Sequence, residues 1–279
     1  MVVTIVGTGL IGGSIAIAMR DQGLAQRIIG VESNASHRQR ALEIKLVDEM
    51  MDWEEAVPVS DLVVLSIPVN DTMQLLPRMM NLVNKQVVID VGSTKDPVCL
   101  SVKDHPKRGR FVATHPMWGT EYSGPDAAIK GAFENKAVVI CNREQSDTDA
   151  VELVESLYRS LGMHLLYMDS AAHDLHAAYV SHISHITSFA LANTVLEKEK
   201  EEDAIFEMAS AGFESTVRLA KSNPAMWVPI FMQNKENVLD VLNEHISQLR
   251  KFKSCLEKEN YEYLQELIEH ANGIRRILK

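Results

Sequence analysis

The amino-terminal stretch "VVTIVGTGLIGGSIAIAM" constrains the fold more than any other part of the chain. Its β-branched run at 2–6 predicts a strand, and the turn at 7–12 has the spacing GxGxxG and opens an apolar helix. A second predicted strand at 27–32 ends in Glu32. Strand, glycine turn, helix and acid in this order are typical of a dinucleotide-binding α/β domain, and a glycine turn without a ligand is the alternative.

The glycines of this turn have separate physical roles in such a site. Gly7 allows the tight turn, Gly9 lets a pyrophosphate approach the backbone, and Gly12 lets the helix pack closely on the strand. Glu32 is placed to accept hydrogen bonds from the adenosine ribose, and its charge repels a 2′-phosphate. The sequence therefore predicts NAD in preference to NADP.

Two arginines follow Glu32 closely enough to bear on this preference. Arg38 and Arg40 could pair with a 2′-phosphate, but we interpret them as solvated charges on a helix surface. The predicted cofactor-binding residues are Gly7, Gly9, Leu10, Ile11, Gly12, Glu32, Ser66, Pro68 and Ser93.

Further strand candidates continue the pattern as far as Met168 and alternate with helical stretches. This order predicts a doubly wound, Rossmann-like sheet whose ligands bind beyond the carboxyl ends of the strands. Pro68, Ser93 and His115 lie at predicted strand ends, so we expect them to meet over the nicotinamide; a purely structural role is the alternative for His115 alone. The predicted strands are 2–6, 27–32, 61–68, 86–93, 110–116, 136–141 and 163–168.

From Ser170 onward the sequence predicts helices only. We therefore expect a cofactor-binding domain over 1–168 and an all-α domain over 169–279. The charge run at 197–203 is interpreted as a solvated turn between helices. Breaks between helices are predicted near Lys200, at 222–226, where "SNPAM" offers a cap before a proline, and near Glu257.

Four histidines lie within thirteen residues of the first of these helices. They are His173, His176, His182 and His185. We predict no metal site, because no cysteine accompanies them and the helical angles spread the rings over more than one face. Ser181 and His185 share a face, with Asp174 on roughly the same side, and that face is expected to line a polar cleft against the first domain.

Composition argues against several classes of protein. The net charge of -10 disfavours nucleic acid as a partner, and no apolar run approaches the ~18 residues of a membrane span. The three cysteines, Cys99, Cys141 and Cys255, have neither metal nor disulfide spacing, which favours a reducing cytoplasm. The amino terminus lacks a basic segment ahead of its apolar run, so we interpret it as a strand and not as a signal peptide.

Five blocks of the sequence, in this order, resemble the prephenate dehydrogenase family, which oxidises prephenate with NAD(P) in tyrosine biosynthesis. The blocks are "VGTGLIGGSIA", "DVGSTK", "THPMWGTEYSGP", "HDLHAAYVSHISH" and "FESTVRLAKSNPAMW". The resemblance implies an NAD-dependent oxidoreductase with a Rossmann domain and a helical domain that builds a homodimer.

The resemblance also implies roles for individual residues. His115 corresponds to the catalytic histidine, and Ser93 to a serine that touches both that histidine and the ring hydroxyl of the substrate. Arg218 corresponds to an arginine that binds a substrate carboxylate, and Trp227 to a tryptophan from the partner subunit. The polar residues implied to line the pocket are Glu121, His173, Ser181 and His185. Trp118 departs from the family pattern, because a small residue is expected after "HPM".

The chemistry explains why these residue types suit such a reaction. Loss of a hydride from C4 of prephenate creates a ketone, and this ketone draws electrons as CO₂ leaves C1. A neutral imidazole at His115 can accept the proton of the C4 hydroxyl, since its ordinary pKa is about 6.5. The planar guanidinium of Arg218 can bind a carboxylate of the dianionic substrate at two points; a helix-surface pair with Glu214 is the alternative.

Three other functions remain open at this point. The same chemistry on arogenate, which has an amino group in place of the side-chain keto oxygen, is the nearest. A 3-hydroxyacid dehydrogenase would need a catalytic lysine on the helical domain, where we find histidines instead. A non-catalytic NAD sensor would need no base, and Ser93, His115 and Arg218 together disfavour it.

Overall fold

The structure, a computed structural model, describes residues 1–200 and 207–277. The chain forms two compact units, Met1–Asn234 and Lys235–Lys279. The predicted boundary between residues 168 and 169 marks the change from sheet to helices and lies inside the first unit. As a statement about domain organisation it stays a prediction.

Eight strands of the first unit form one sheet. They are β1 Val2–Val6, β2 Arg27–Val31, β3 Glu49–Met50, β4 Leu62–Leu65, β5 Val87–Asp90, β6 Phe111–Pro116, β7 Ala137–Cys141 and β8 His164–Met168. Their order across the sheet is β3-β2-β1-β4-β5-β6-β7-β8, and only the β6–β7 pair is antiparallel. The predicted doubly wound sheet is confirmed. The sequence analysis did not predict β3, because its two residues are too few to show the alternation of apolar and polar residues typical of a strand.

The sheet is buried on both faces because its central strands are apolar at every position. All four residues of β4 are buried completely. Leu62 and Val64 pack into the core on one face, while Val63 and Leu65 pack into the core on the other. Alternate side chains of a strand point to opposite faces, so a continuous apolar run requires helices on both sides.

Six helices connect the strands and cover the two faces. They are α1 Leu10–Asp21, α2 Ala35–Glu43, α3 Trp53–Val59, α4 Val69–Met80, α5 Asp96–Ser101 and α6 Thr148–Ser160. Because the strands are parallel up to β6, the loops that follow β1, β4, β5 and β6 open at one edge of the sheet.

Helices α7 to α10 complete the first unit, and α11 and α12 form the second. Their bounds are α7 Ser170–Ala177, α8 Ile183–Glu199, α9 Ala211–Val217, α10 Pro224–Gln233, α11 Lys235–Glu257 and α12 Tyr261–Asn272. A five-residue π-helical segment, Ala178–His182, joins α7 to α8, and a 3₁₀ turn, Arg218–Lys221, follows α9. None of the described helices is both long and apolar enough to cross a bilayer.

The three predicted breaks between these helices are confirmed. Helix α8 ends at Glu199 and α11 ends at Glu257. The side chain of Asn223 accepts a hydrogen bond from the backbone of Ala225 and so caps α10. The predicted turn at 197–203 overlaps the end of α8, and residues 201–203 lie outside the described part of the chain.

Candidate active site

His115 lies one residue before the end of β6 and is largely buried, with 9% of its surface exposed. Its Nδ1 lies 2.8 Å from Nε2 of His173, the fourth residue of α7. Nδ1 of His173 in turn lies 2.8 Å from Oδ1 of Asp174. Strand β6 and helix α7 thus meet through a line of three buried polar side chains, and Nε2 is the nitrogen of His115 that this line leaves open.

Asp174 is held in place by the loop that follows β5. The backbone N–H of Lys95 donates to its Oδ1 at 2.8 Å, and the N–H of Asp96 donates to its Oδ2 at 2.9 Å. Ser93 is half-buried in the same loop. The structure therefore brings the loop after β5 and the end of β6 together at α7. Within the described residues no hydrogen bond joins Ser93 to His115.

Lys95 is a buried cation directly behind the histidines. Its Nζ forms an ion pair with Asp90 and donates to the carbonyl oxygen of Thr114 at 2.8 Å. Lysine is almost never buried without a partner, and here the partner is the last residue of β5. Sequence reasoning missed Lys95 and Asp90, because a charged pair five residues apart across a loop gives no periodic signal.

These surroundings keep His115 neutral. Burial is the largest cause that lowers its pKa well below the ordinary value, and charges on His173, Lys95 and His182 lower this pKa further. A neutral ring retains a lone pair, which is what a proton acceptor requires.

Arg218 and Glu121, two further predicted site residues, form an ion pair. Nη1 of Arg218 donates to Oε2 of Glu121 at 3.0 Å, and the Glu121 side chain is only 14% exposed. The charge of Arg218 helps to lower the pKa of Glu121, after a hydrogen bond from the backbone of Glu121 itself. Among the described residues Arg218 forms its ion pair with Glu121 and not with Glu214, which lies 3.9 Å from Lys221.

His185 and Trp227 are in direct contact with each other. Their rings stack with centroids 3.4 Å apart, and Nδ1 of His185 lies 3.1 Å from the carbonyl oxygen of Ser181. Burial lowers the pKa of His185, and the charge of Arg218 lowers it further. Trp227 thus contacts His185 of its own chain, and its implied role across a subunit boundary stays a prediction.

The π-helical segment changes which residues of this helix face inward. It adds one residue to the turn, so His182, and not Ser181, follows Asp174 on the buried side. Nδ2 of Asn234 lies 3.1 Å from Nδ1 of His182 and donates to the carbonyl oxygen of Asp174 at 2.6 Å. The predicted common face of Asp174, Ser181 and His185 needs this correction, because regular helical angles do not apply across a π turn.

The four histidines of this region do not converge. His173 and His182 are both buried but have different hydrogen-bonding partners. His176 is exposed, and His185 stacks on Trp227. No group of three potential metal ligands was found among the described residues.

The turn between β1 and α1 fits a dinucleotide. A side chain at Gly7, whose φ is 93°, would lie 2.5 Å from the carbonyl oxygen of Ser66, and one at Gly12 would lie 2.1 Å from that of Gly7. The protein itself therefore requires both of these glycines. A side chain at Gly9 would meet no atom closer than 3.9 Å, so the space beside Gly9 is open. Helix α1 begins at Leu10, followed by Ile11, and no side chain caps its N-terminus. A phosphate can therefore bind there.

Glu32 follows β2 and holds the same turn. Its Oε2 accepts hydrogen bonds from the backbone N–H and the hydroxyl of Thr8 at 3.1 and 3.2 Å, and its Oε1 accepts one from the N–H of Asn34. Ser66 donates to the carbonyl oxygens of Val6 and Gly7, so this predicted cofactor residue supports the turn from beneath. Pro68 precedes the first residue of α4 at the same edge of the sheet.

The two arginines after Glu32 are paired with carboxylates. Arg40 lies 2.7 Å from Asp126 and 3.3 Å from Glu43, and Arg38 lies 3.9 Å from Asp52. These pairs agree with the interpretation of Arg38 and Arg40 as helix-surface charges.

Trp118, which departs from the family pattern, packs into the protein core. Its ring packs edge to face on that of Phe133, with the ring centroids 5.6 Å apart. Its backbone N–H donates a hydrogen bond to the carbonyl oxygen of Pro116. The bulk of Trp118 is therefore accommodated by the core beneath the sheet and not by the group around His115.

Comparison with known proteins identifies relatives along nearly the whole chain. The model of the prephenate dehydrogenase nucleotide-binding domain matches residues 15–167, and that of the prephenate dehydrogenase dimerization domain matches residues 169–270. The prephenate dehydrogenase of Bacillus subtilis (strain 168) is 31% identical over 278 residues, which cover 98% of this chain and 75% of that protein.

Two solved structures show the same fold at full length. The prephenate dehydrogenase of Aquifex aeolicus in complex with hydroxyphenyl propionate and NAD⁺ has a TM-score of 0.91 and 29% identity, covering 100% of this chain and 98% of its own. The arogenate dehydrogenase of Synechocystis has a TM-score of 0.78 and 26% identity, covering 100% of both chains.

Proposed function

Since this chain belongs to the prephenate dehydrogenase family, we propose that it converts prephenate to 4-hydroxyphenylpyruvate and CO₂ by oxidative decarboxylation. It is an NAD-dependent oxidoreductase. The observation that carries the proposal is the buried, neutral His115 near the end of β6. The hydrogen bond that holds Arg218 against Glu121 supports it.

His115 serves first as a base and then as an acid at one oxygen of the substrate. NAD, when bound, takes the hydride from C4 of prephenate. Nε2 of His115 accepts the proton of the C4 hydroxyl, and the C4–O bond becomes a carbonyl. As the C1 carboxylate leaves as CO₂, its bonding electrons return through the ring to that oxygen, and His115 gives the proton back to form the phenol. No net proton is released, so His115 ends the turnover neutral.

Arg218 orients the substrate for this exchange. Its guanidinium is half exposed, and only one of its nitrogens is hydrogen-bonded to Glu121. The remaining N–H groups can bind a substrate carboxylate in a bidentate manner. In a chain of net charge -10, such a fixed cation offsets the repulsion of a dianionic substrate. Ser93, Ser181, His185 and Trp227 belong to the same proposed pocket.

The turn at 7–12 and Glu32 hold the cofactor. The open space above Gly9 and the free N-terminus of α1 suit the pyrophosphate, and the Glu32 carboxylate suits the ribose hydroxyls. The Glu32 carboxylate already accepts hydrogen bonds from backbone N–H groups of Thr8 and Asn34, and these bonds fix its position. The hydroxyls of a bound ribose can donate further hydrogen bonds to it.

We place the enzyme in the cytoplasm as a homodimer, with the all-α part of the chain at the dimer interface. Its three cysteines are free and buried, which suits a reducing compartment. Within the second unit, the exposed side chains include Leu249, Leu256 and Ile268, and apolar faces of this kind call for a partner.

One assay tests the proposal and its nearest alternative. NAD reduction is followed at a wavelength where only NADH absorbs, with prephenate and arogenate offered separately to the same preparation. We expect turnover with prephenate. Turnover with arogenate alone would replace prephenate by arogenate as the substrate, and no turnover with either compound would contradict the proposed chemistry.

A further inference from the structure

Asp174 can only accept hydrogen bonds at the positions where the structure holds it. Both of its oxygens receive backbone N–H groups, from Lys95 and from Asp96, and these groups are obligatory donors. The side chain is buried, so water does not compete for it. The third group that faces Asp174, Nδ1 of His173 at 2.8 Å from Oδ1, must therefore carry a hydrogen.

The state of His173 then determines the state of His115. A neutral imidazole carries one N–H, so Nε2 of His173 has a lone pair and accepts. That nitrogen lies 2.8 Å from Nδ1 of His115, which must therefore donate. His115 is left with its hydrogen on Nδ1 and its lone pair on Nε2.

We propose that Asp174 and His173 are positioning residues that hold His115 in the Nδ1–H tautomer, so that Nε2 is always the proton acceptor. The inference rests on the proposed function, in which Nε2 takes the proton of the substrate hydroxyl. It gives His173 a role behind the catalytic residue, where its burial at 2% exposure keeps it from the substrate. The pocket-lining role that the family resemblance implies for His173 does not suit that position.

The same line of residues also supports the charged form of His115 during turnover. The protonated ring meets unfavourable surroundings, because Lys95 and His182 face it and water is excluded. Asp174 is the carboxylate next along the line of hydrogen bonds, and its negative charge offsets the imidazolium through His173. The imidazolium lasts only until the proton returns to the product oxygen.

Asp174→Asn tests the tautomer directly. The amide of Asp174→Asn keeps one acceptor oxygen for the three donors of Lys95, Asp96 and His173, so the hydrogen of His173 is no longer fixed on Nδ1, nor that of His115 on Nδ1. We expect ¹⁵N NMR of the histidine rings, recorded without cofactor, to show a protonated Nδ1 on His115 in the unsubstituted protein and a mixture of both ring tautomers in Asp174→Asn. A protonated Nε2 on His115 in the unsubstituted protein, or a doubly protonated His173, would overturn the proposal.

Kinetics provide the second readout. We expect Asp174→Asn to lower kcat about 10²–10⁴-fold, as loss of a carboxylate that orients a catalytic histidine does elsewhere, with KM for prephenate and Kd for NAD within about threefold. Ser60→Ala is the matched control, since it removes the buried hydrogen bonds of one hydroxyl, with Thr4 and with the carbonyl oxygen of Ala56, without touching the line from Asp174 to His115. An Asp174→Asn enzyme with kcat within threefold of the unsubstituted protein would contradict the inference.

A second pair of variants covers a failure of Asp174→Asn to fold. In His173→Gln, the amide can accept from His115 and donate to Asp174, so the tautomer is kept, whereas in His173→Leu it is not. We expect His173→Gln to recover at least about tenfold in kcat over His173→Leu. Equal losses in both would contradict the tautomer role. If the unsubstituted protein oxidises no prephenate, the proposed function fails, while the NMR result still decides the inference.

Discussion

Arg218 donates a hydrogen bond to Glu121 at 3.0 Å, although ninety-seven residues separate them along the chain. The contact joins the turn after α9 to the loop that follows β6, the strand of His115. It leaves the Arg218 side chain half exposed. In the proposed function, Arg218 binds a carboxylate of the substrate and His115 takes the proton of its hydroxyl.

Arg218→Ala should raise KM for prephenate by about 30-fold or more, since a charge-assisted bidentate contact is worth roughly 2–5 kcal/mol and each 1.4 kcal/mol is tenfold. Arg218→Lys should recover only part of the loss, because a point charge cannot replace the planar fork. KM for NAD should hardly change. Lys221→Ala, which removes a more exposed cation of the same turn, is the control. An unchanged KM for prephenate in Arg218→Ala would remove Arg218 from the site.

His115→Asn should lower kcat by about 10²–10⁴-fold while NAD still binds, because a positioned proton acceptor contributes about that factor. Steady-state kinetics and NAD titration measure the two effects separately. His176→Asn, at an exposed position of α7, should leave both unchanged. A His115→Asn enzyme within threefold of the unsubstituted protein would show that another group takes the proton.

Glu32→Gln should reduce the preference for NAD over NADP by roughly tenfold, since a like charge near the 2′-phosphate costs on the order of 1–4 kcal/mol. The amide oxygen can still accept the bonds from Thr8, so the turn is kept. Glu32→Ser removes the charge and these bonds together. The ratio of kcat/KM for the two cofactors is measured in each variant. Equal use of NAD and NADP by the unsubstituted protein would contradict a role for Glu32 in selection.

His182 should make the protein less stable in acid. Burial lowers the pKa of His182 to about 4 in the folded protein. Between pH 6.5 and 4, His182 is therefore protonated in the unfolded chain but stays neutral in the folded one. The free energy of unfolding should therefore fall as the pH drops from 6.5 toward 4, by up to about 3 kcal/mol from this residue. Urea unfolding at pH 7 and 4.5 should show a smaller fall in His182→Asn than in the exposed control His176→Asn. Equal falls in the two variants would rule out His182 as the cause.

The protein should sediment as a dimer of its 31.2 kDa chain at micromolar concentration. Exposed apolar side chains such as Val228 and Met232 in the first unit and Leu256 in the second support this expectation, because large apolar faces seldom stay in water. Sedimentation velocity over a dilution series gives the mass. A monomer at all concentrations would contradict the proposed assembly.

The sequence by itself determined the elements whose signals are local. The strands of the sheet are short β-branched runs, the turn at 7–12 needs glycine at two points for steric reasons, and the cap at Asn223 is a contact between neighbours. Family resemblance added the roles of His115 as the catalytic histidine and of Arg218 as the carboxylate-binding arginine, whose types suit the chemistry of the substrate.

Only the tertiary structure decided what surrounds those residues. The ion pair of Lys95 with Asp90, the line from His115 to Asp174, and the partner of Arg218 all join segments that are separate in sequence or cross a loop. The π-helical segment before His185 also escapes a helical wheel, because it rotates every later residue relative to the earlier ones. Periodicity describes one element at a time, whereas burial, pKa and hydrogen-bond direction depend on the elements that pack against it.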